Sequence, residues 1–203
     1  MKSSKAVKLA NKASSAQLAK VVSSSYELPS NRSCRVKVMH SSDLKRTQRE
    51  SIWAVFEANM YEFYKSSSFG WDPEAKRKEL FHSLSRFILV HEADTDTLLA
   101  FIMLRFELEE EEDVIYCYDI QVTKAAQGMG LGKELLSELA KIGNAYEMEK
   151  IMLTVLKANT KATAFYKAIG FELDPTSPEY KEDGEELDPE LLGLDYEILS
   201  RSI

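Results

Sequence analysis

Gln127-Gly128-Met129-Gly130-Leu131-Gly132 is the stretch of sequence that decides the fold. It follows a strand-like segment, residues 115–123, and precedes a helix-like segment, residues 133–145. In a glycine-rich turn at the start of a helix, several backbone N–H groups point outward and the helix dipole favours negative charge. The pattern therefore predicts a site for an anionic group. The alternative is a tight turn that binds no ligand.

The spacing of these glycines excludes two common nucleotide-binding motifs. The phosphate-binding P-loop requires Ser or Thr directly after its Lys, but Glu134 follows Lys133. The dinucleotide fingerprint requires its third glycine at the position of Lys133. The remaining form, Q-x-x-G-x-G after a strand, resembles the turn that holds the acetyl-CoA pyrophosphate in the GCN5-related N-acetyltransferase (GNAT) family.

A second motif, N-x-x-A-x-x-F-Y-x-x-x-G-F, occupies residues 159–171. A strand over residues 151–156 is predicted before it, then a short helix that ends at Gly170, because glycine commonly follows a helix C-terminus. In the GNAT family, which this motif also resembles, this strand and helix hold the pantetheine arm. The resemblance implies that Asn159 lies near the cofactor and that Tyr166 stabilises or protonates the departing thiolate. The alternative, an apolar helix face that includes Tyr166, is compatible with that role.

Composition excludes several other classes of protein. The chain has 203 residues, no apolar run of the ~18–20 residues that a membrane helix needs, and no apolar secretory core at its N-terminus. Its two cysteines, Cys34 and Cys117, argue for a reducing compartment and against a disulfide framework. Its histidines have no metal-ligand spacing with these cysteines, so we expect no metal site.

The net charge of −7 is unevenly distributed. Lysines but no acidic residues precede Glu27, and acidic residues concentrate in segments 107–113 and 179–190. The basic N-terminus predicts a helix over residues 1–20. The alternatives for this segment are that it packs on the domain, that it is disordered, or that its lysines lie near RNA of the ribosome. The acidic segments are either solvated loops or surfaces that attract basic substrates.

Hydrophobic periodicity and turn signals predict the other elements. Strands are expected over residues 35–40, 86–92, 97–106, 114–123 and 194–200, and helices from Ser41-Ser42-Asp43 to about Tyr64 and from Asp72-Pro73 onward. The predicted division is a basic N-terminal helical segment, residues 1–33, and an acetyltransferase domain, residues 34–203. The predicted fold class is α/β: a GNAT fold with a mixed, mostly antiparallel sheet, helices on both faces and an extra N-terminal helix.

Further stretches resemble one branch of this superfamily more specifically. They are Asn59-Met60 with Tyr64, Phe69-Gly70-Trp71, residues 114–121, residues 152–155 and residues 196–201. Together they are similar to the N-alpha-acetyltransferase D family (N-alpha-acetyltransferase 40), whose members acetylate the N-terminal amine of histone 4 and histone 2A. The resemblance implies acetyl-CoA as cosubstrate and histone tails as partners. It also implies a monomer without an auxiliary subunit or membrane attachment, in the cytoplasm and nucleus.

Asp119 stands where this family has a Glu that acts as general base. In a regular strand Tyr116 and Tyr118 share one face and Asp119 the other, but a bulge after Tyr118 would turn Asp119 toward the reaction centre. Because Asp is one methylene shorter than Glu, a bridging water is favoured over direct contact with the amine. The alternative for Asp119 is a structural carboxylate that accepts hydrogen bonds from neighbouring donors. The alternative for Tyr116 and Tyr118 is aromatic packing in the core.

An N-terminal α-amine suits such a weak base. At pH 7.5 roughly a third of α-amines are neutral, against about one lysine side chain in a thousand. We expect the neutral amine to attack the thioester directly, while backbone N–H groups of residues 118–122 polarise the carbonyl. The alternative functions are a lysine or small-amine acetyltransferase and a catalytically inactive acetyl-CoA-binding module.

The resemblance assigns the remaining site residues one by one. Glu107 and Glu109 would face a substrate arginine, and Phe69 replaces a family Trp beside Tyr64 in the pocket for the first substrate residue. The predicted catalytic residues are Asp119, Tyr118 and Tyr166. The predicted cofactor-binding residues are Ile120, Gln121, Val122, Gln127, Gly128, Met129, Gly130, Leu131, Gly132, Lys133, Asn159 and Tyr166. The predicted substrate-binding residues are Tyr64, Phe69, Glu107, Glu109, Tyr116, Tyr118, Asn159, Thr176 and Tyr196.

Overall fold

The computed structural model describes residues 4–29, 32–181, 191 and 193–203, so most of the acidic segment 179–190 lies outside the described residues. The helices are α1 (Lys5–Lys12), α2 (Ser15–Leu18), α3 (Arg46–Lys65), α4 (Pro73–Leu80), α5 (Leu131–Ala145) and α6 (Thr160–Ala168). The strands are β1 (Ser25–Leu28), β2 (Arg32–His40), β3 (Arg86–Glu92), β4 (Leu98–Glu109), β5 (Glu112–Val122), β6 (Lys150–Leu156), β7 (Glu172–Leu173) and β8 (Tyr196–Ser202). None of the described helices is both long and apolar enough to cross a membrane.

These strands form one sheet in the order β1-β2-β3-β4-β5-β6-β8-β7. The pair β5 and β6 is parallel, and the other neighbouring pairs are antiparallel. A parallel pair needs a crossover connection, and α5 provides it. The end of β5, the start of α5 and the end of β6 therefore meet at one edge of the sheet. The mixed, mostly antiparallel sheet predicted from the sequence is confirmed.

Helices cover both faces of the sheet, and each face has its own hydrophobic core. On the first face α1, α2 and α5 bury side chains such as Val7, Leu18 and Leu139. On the second face α3 and α4 bury Phe56 and Leu80 against the aromatic side chains of β3 and β4. Full burial of one such side chain contributes about 1.5–3 kcal/mol, which is sufficient to hold short helices in place.

The N-terminal segment differs from its prediction. The single helix expected over residues 1–20 is two helices, because Ser14 forms a capping box with Gln17 and starts α2. The sequence also failed to predict β1, since the serines before it and Pro29 after it indicated breaks. The predicted division after residue 33 falls inside β2. Residues before and after this point contribute side chains to the core of the first face.

Two predicted helix starts have different outcomes. Asp72 caps α4 with Pro73 in the first turn, as predicted, and its carboxylate accepts hydrogen bonds from Glu74 and Ala75. The prediction that Ser41-Ser42-Asp43 caps the long helix is wrong. Those residues form a separate 3₁₀ turn, and α3 begins at Arg46.

The acidic segment 107–113 is a β-hairpin rather than the loop that charge alone suggested. Strand β4 continues to Glu109 and β5 begins at Glu112, so the turn consists of Glu110 and Glu111. Both turn residues have positive φ, 45° and 69°, which is typical of a type I′ turn. Backbone pairing continues regardless of side-chain charge, and it places Glu107 and Glu109 on one face of β4.

Candidate active site

The sheet opens between β5 and β6. Their pairing ends at Cys117 and Leu153, although both strands continue. At the same point Leu104 of β4 pairs with Cys117 and Met103 pairs with Asp119, so that Tyr118 is the extra residue of a β-bulge. A bulge bends its strand and increases the local twist, so the ends of β5 and β6 separate.

A cavity of about 1120 Å³ extends through this opening. Lys124, Lys133 and Lys161 line the part near the glycine turn, and Glu107 and Glu109 line the part near the β4–β5 hairpin. This charge distribution suits an anionic group at one end and a cationic group at the other. All the predicted site residues line the cavity except Met129, Thr176 and Tyr196.

The glycine turn has the backbone conformation that an anion site requires. Gly128 and Gly130 have φ of 79° and 87°, a region that side-chain-bearing residues seldom adopt. Gly130 is also the residue before α5, and the first N–H groups of a helix have no carbonyl within the helix to bind. At Gly132 a Cβ atom would lie 3.2 Å from the Phe165 ring, so glycine also allows α5 to approach α6 closely.

Three predicted residues lie elsewhere. Met129, between the two glycines of positive φ, packs against the core of the first face. Thr176 donates its hydroxyl and its backbone N–H to the carboxylate of Asp174, away from the cavity. Tyr196 lies beside the cavity rather than in it, with its ring centroid 5.4 Å from that of Phe69, which does line the cavity.

Asp119 is buried beside the bulge, on the same face of the sheet as Tyr118. Its Oδ1 accepts a hydrogen bond of 2.7 Å from Gln121, and its Oδ2 lies 3.0 Å from Nζ of Lys76 on α4. Burial acts to lower the pKa of Lys76, but the carboxylate of Asp119 and its other neighbours raise it above its ordinary value. The pair is therefore an ion pair inside the protein.

Sequence reasoning missed Lys76 because three consecutive basic residues begin there. Its position four residues before the apolar Leu80 indicates the inner side of a helix, but its charge argued against burial.

Asn59 is a second site residue that the sequence analysis missed. The Asn59 amide donates hydrogen bonds of 3.0 Å to the side chain of Gln121 and to the carbonyl of Val122. The side chain of Gln121 is thus engaged within the protein, which leaves its backbone for the predicted cofactor contact.

The two strand tyrosines are bound to opposite sides of the cavity. The Tyr116 hydroxyl shares a hydrogen bond of 2.6 Å with Thr154 on β6, and burial raises the pKa of Tyr116 to about 12. The Tyr118 hydroxyl donates to both carboxylate oxygens of Glu107, at 2.9 and 3.1 Å, and Arg105 lies over its ring. Burial, with the charge of Glu107, raises the pKa of Tyr118 as well. Both phenols are neutral near neutral pH.

The acidic wall is partly desolvated. Burial raises the pKa of Glu107, although the Tyr118 hydroxyl and Arg105 act in the opposite direction. Burial also raises the pKa of Glu109, and the charges of Glu107 and Glu110 add to the effect. A cation placed between these two carboxylates would relieve their repulsion and form charge-assisted hydrogen bonds.

The second motif supplies the opposite wall of the cavity. Asn159 caps α6, with its Oδ1 accepting a hydrogen bond of 3.3 Å from the N–H of Ala162. Burial raises the pKa of Tyr166 well above its ordinary value, and the charges of Cys117 and Asp119 act in the same direction. Tyr166 is therefore better suited to donate a hydrogen bond than to give up its proton.

Across the described ranges, no group of three or more His, Cys, Asp or Glu side chains could hold a metal ion.

Comparisons with known proteins agree with this geometry. The sequence model of the acetyltransferase (GNAT) family matches residues 53–171. N-alpha-acetyltransferase 40 of Saccharomyces cerevisiae is 36% identical over 72 residues, which cover 32% of this chain and 25% of that protein. The chain therefore matches only about a quarter of the length of this curated relative.

Solved structures show the same fold at low sequence identity. A GNAT-family acetyltransferase of Staphylococcus aureus Mu50 is 15% identical with a TM-score of 0.58, over 82% of this chain and 98% of that chain. Arabidopsis thaliana Naa50, in complex with the bisubstrate analogue CoA-Ac-MVNAL, is 19% identical with a TM-score of 0.53, over 83% of this chain and 99% of that chain. Because the family match spans more than half of the sequence and includes both motifs of the cavity, this chain belongs to the acetyltransferase (GNAT) family.

Proposed function

We propose that this protein is an N-terminal α-amine acetyltransferase that uses acetyl-CoA and acts on the Ser-Gly-Arg-Gly tails of histone 4 and histone 2A. The observation that carries the proposal is the two-ended cavity, basic beside the glycine turn and acidic beside the hairpin, with Asp119 between the ends. The similarity to the yeast N-alpha-acetyltransferase 40 supports an N-terminal α-amine as the acceptor group.

The glycine-turn end fits the phosphates and pantetheine arm of acetyl-CoA. The N–H groups at the start of α5 and three nearby lysines would bind the phosphates. Beyond Cys117, β5 has no pairing with β6, so one edge of its backbone is open to the pantetheine arm and the thioester carbonyl. The bisubstrate analogue in the Arabidopsis Naa50 structure, which contains CoA, supports this use of the shared fold.

The hairpin end would select the acceptor. Glu107 and Glu109 would bind the guanidinium of the third substrate residue, while Tyr64 and Phe69 would enclose the first. Asp119, acting through a water, would accept the proton of the α-amine. Tyr166 would donate a hydrogen bond to the departing thiolate. Histone tails as partners, action without an auxiliary subunit and a place in the cytoplasm and nucleus follow from the resemblance to the N-alpha-acetyltransferase D family.

Acetyl transfer to two forms of one peptide tests the proposal. Ser-Gly-Arg-Gly-Lys is offered with a free N-terminus and with its α-amine blocked, and mass spectrometry locates the label from acetyl-CoA. We expect label on the Ser nitrogen of the free peptide and none on the blocked one. Label on the lysine of the blocked peptide would make the protein a lysine acetyltransferase. No label on either would mean another acceptor or a binding role.

Glu107→Gln together with Glu109→Gln tests the acidic wall. Loss of charge-assisted hydrogen bonds costs about 1.5–3 kcal/mol, so KM for the arginine peptide should rise roughly tenfold or more. A peptide with Ala as third residue is the control, and its KM should change little. An equal change for both peptides would contradict the assignment of this wall to the arginine.

A further inference from the structure

Lys76 is buried at the reaction centre, an unusual place for a lysine. It is 7% exposed, and its Nζ lies 5.0 Å from the Phe56 ring centroid and 5.3 Å from that of Tyr64. It also contacts the carboxylates of Glu79 and Asp119. Lysines are almost never this buried unless they are paired, so its partners explain its position.

Lys76 places a positive charge directly beside the carboxylate of Asp119. The polar groups that face Asp119 come from four elements: Lys76 from α4, Tyr64 from α3, Cys117 and Gln121 from β5, and Tyr166 from α6. Of these described neighbours, Lys76 is the only cation. A carboxylate that is 7% exposed and has no cation beside it takes up a proton readily.

We infer that Lys76 is a positioning residue, which keeps Asp119 ionised and fixes its Oδ2 so that the carboxylate can act as the base. The inference rests on the proposed function. In the step it serves, the amine nitrogen bonds to the acetyl carbon, the carbon–sulfur bond breaks and CoA leaves as thiolate. The amine proton passes through water to Asp119, which becomes a carboxylic acid. Lys76 remains protonated throughout.

The pH profile of kcat/KM separates this role from a merely structural one. In Lys76→Met we expect the acidic limb to move upward by roughly one to three pH units, the usual influence of an adjacent opposite charge on an Asp. Lys76→Arg, which retains the charge, should restore much of the wild-type profile. Lys78→Met is the matched control, because Lys78 lies on the same helix with a side chain 75% exposed. An unmoved limb in Lys76→Met would overturn the inference.

A double-mutant comparison tests whether Lys76 acts through Asp119. In the Asp119→Asn background, Lys76→Met should have no further effect on the rate, whereas an undiminished effect would contradict the inference. Replacing both members of a buried ion pair is tolerated better than replacing one. The double variant can therefore be compared with Asp119→Asn even if Lys76→Met alone fails to fold. Lys76→Gln is a second single variant, with a polar side chain of similar length.

Infrared spectroscopy decides the inference without any acceptor. In a pH titration, the C=O band of a protonated carboxylic acid should appear at a higher pH in the Lys76→Met spectrum minus that of the double variant than in the wild-type spectrum minus that of Asp119→Asn. If the band appears at the same pH in both difference spectra, the inference is overturned even if peptide acetylation is found. If the wild-type enzyme acetylates no peptide, the proposed function fails, while the infrared band still reports on Lys76 and Asp119.

Discussion

Tyr118 and Asp119 are adjacent in the sequence, yet both face the second core. A regular strand cannot place consecutive side chains on one face, and the bulge at Tyr118 removes that restriction. The same extra residue stands where pairing with β6 stops. One residue thus both orients the carboxylate and opens the cavity.

Tyr166→Phe tests the hydroxyl of the second motif. The ring would remain between those of Phe165 and Phe171, whose centroids lie 5.4 and 5.7 Å away, so the fold should be unaffected. We expect kcat to fall about 10- to 100-fold, since a hydrogen bond to a charged group contributes about 1.5–3 kcal/mol. KM for the peptide should change little. Steady-state kinetics would contradict the assignment if kcat stayed close to that of the wild type.

At the scale of elements, the β4–β5 hairpin combines a strained turn with a functional surface. Glu110 and Glu111 are exposed and hold positive φ, a conformation that costs a side-chain-bearing residue roughly 1–2 kcal/mol. The hairpin nevertheless places Glu107 and Glu109 on the cavity side of β4.

Glu110→Asn with Glu111→Gly should stabilise the protein by about 1–2 kcal/mol, because Asn-Gly is the preferred pair in a type I′ turn. Urea unfolding measures the change. Glu110→Gln with Glu111→Gln is the matched control, which removes the charges but leaves the backbone strain. An equal gain in the control would show that charge repulsion, and not φ, is what destabilises the turn.

At the scale of the whole molecule, the N-terminal segment is part of the domain. The carbonyl of Asn11 accepts a hydrogen bond of 2.7 Å from the buried guanidinium of Arg86, whose pKa burial lowers to about 10. The Asn11 amide in turn donates to the carbonyl of Phe106 on β4. Without α1, these buried groups would lose their partners, at a cost of about 1–3 kcal/mol each.

Leu18→Ala and Leu9→Ala form a matched pair for this segment. Leu18 is completely buried, so its truncation should destabilise the protein by about 2–5 kcal/mol. Leu9 is 61% exposed, and its truncation should stay within about 0.5 kcal/mol. Chemical denaturation compares the two. Similar small effects would mean that the segment folds independently of the sheet.

The candidate site was predictable wherever its chemistry is local in the chain. The turn glycines, the second motif and the alternating strands each depend on residues close together in sequence. They predicted the fold, and all but three of the predicted site residues line the cavity. Thr176 was predicted to bind substrate but does not line the cavity, because its hydroxyl donates a hydrogen bond to Asp174. Strand β1 was not predicted, because its short sequence carries no strong strand signal.

By itself, the sequence determined the acetyltransferase fold and the place of its glycine turn, because positive φ and hydrophobic periodicity are properties of short segments. Only the tertiary structure decided which of three consecutive basic residues on α4 is buried, and that its partner is Asp119. It also decided that the acidic segment 107–113 is a hairpin with a carboxylate wall. Burial and strand pairing depend on contacts between residues far apart in the chain, and a local pattern does not contain those contacts.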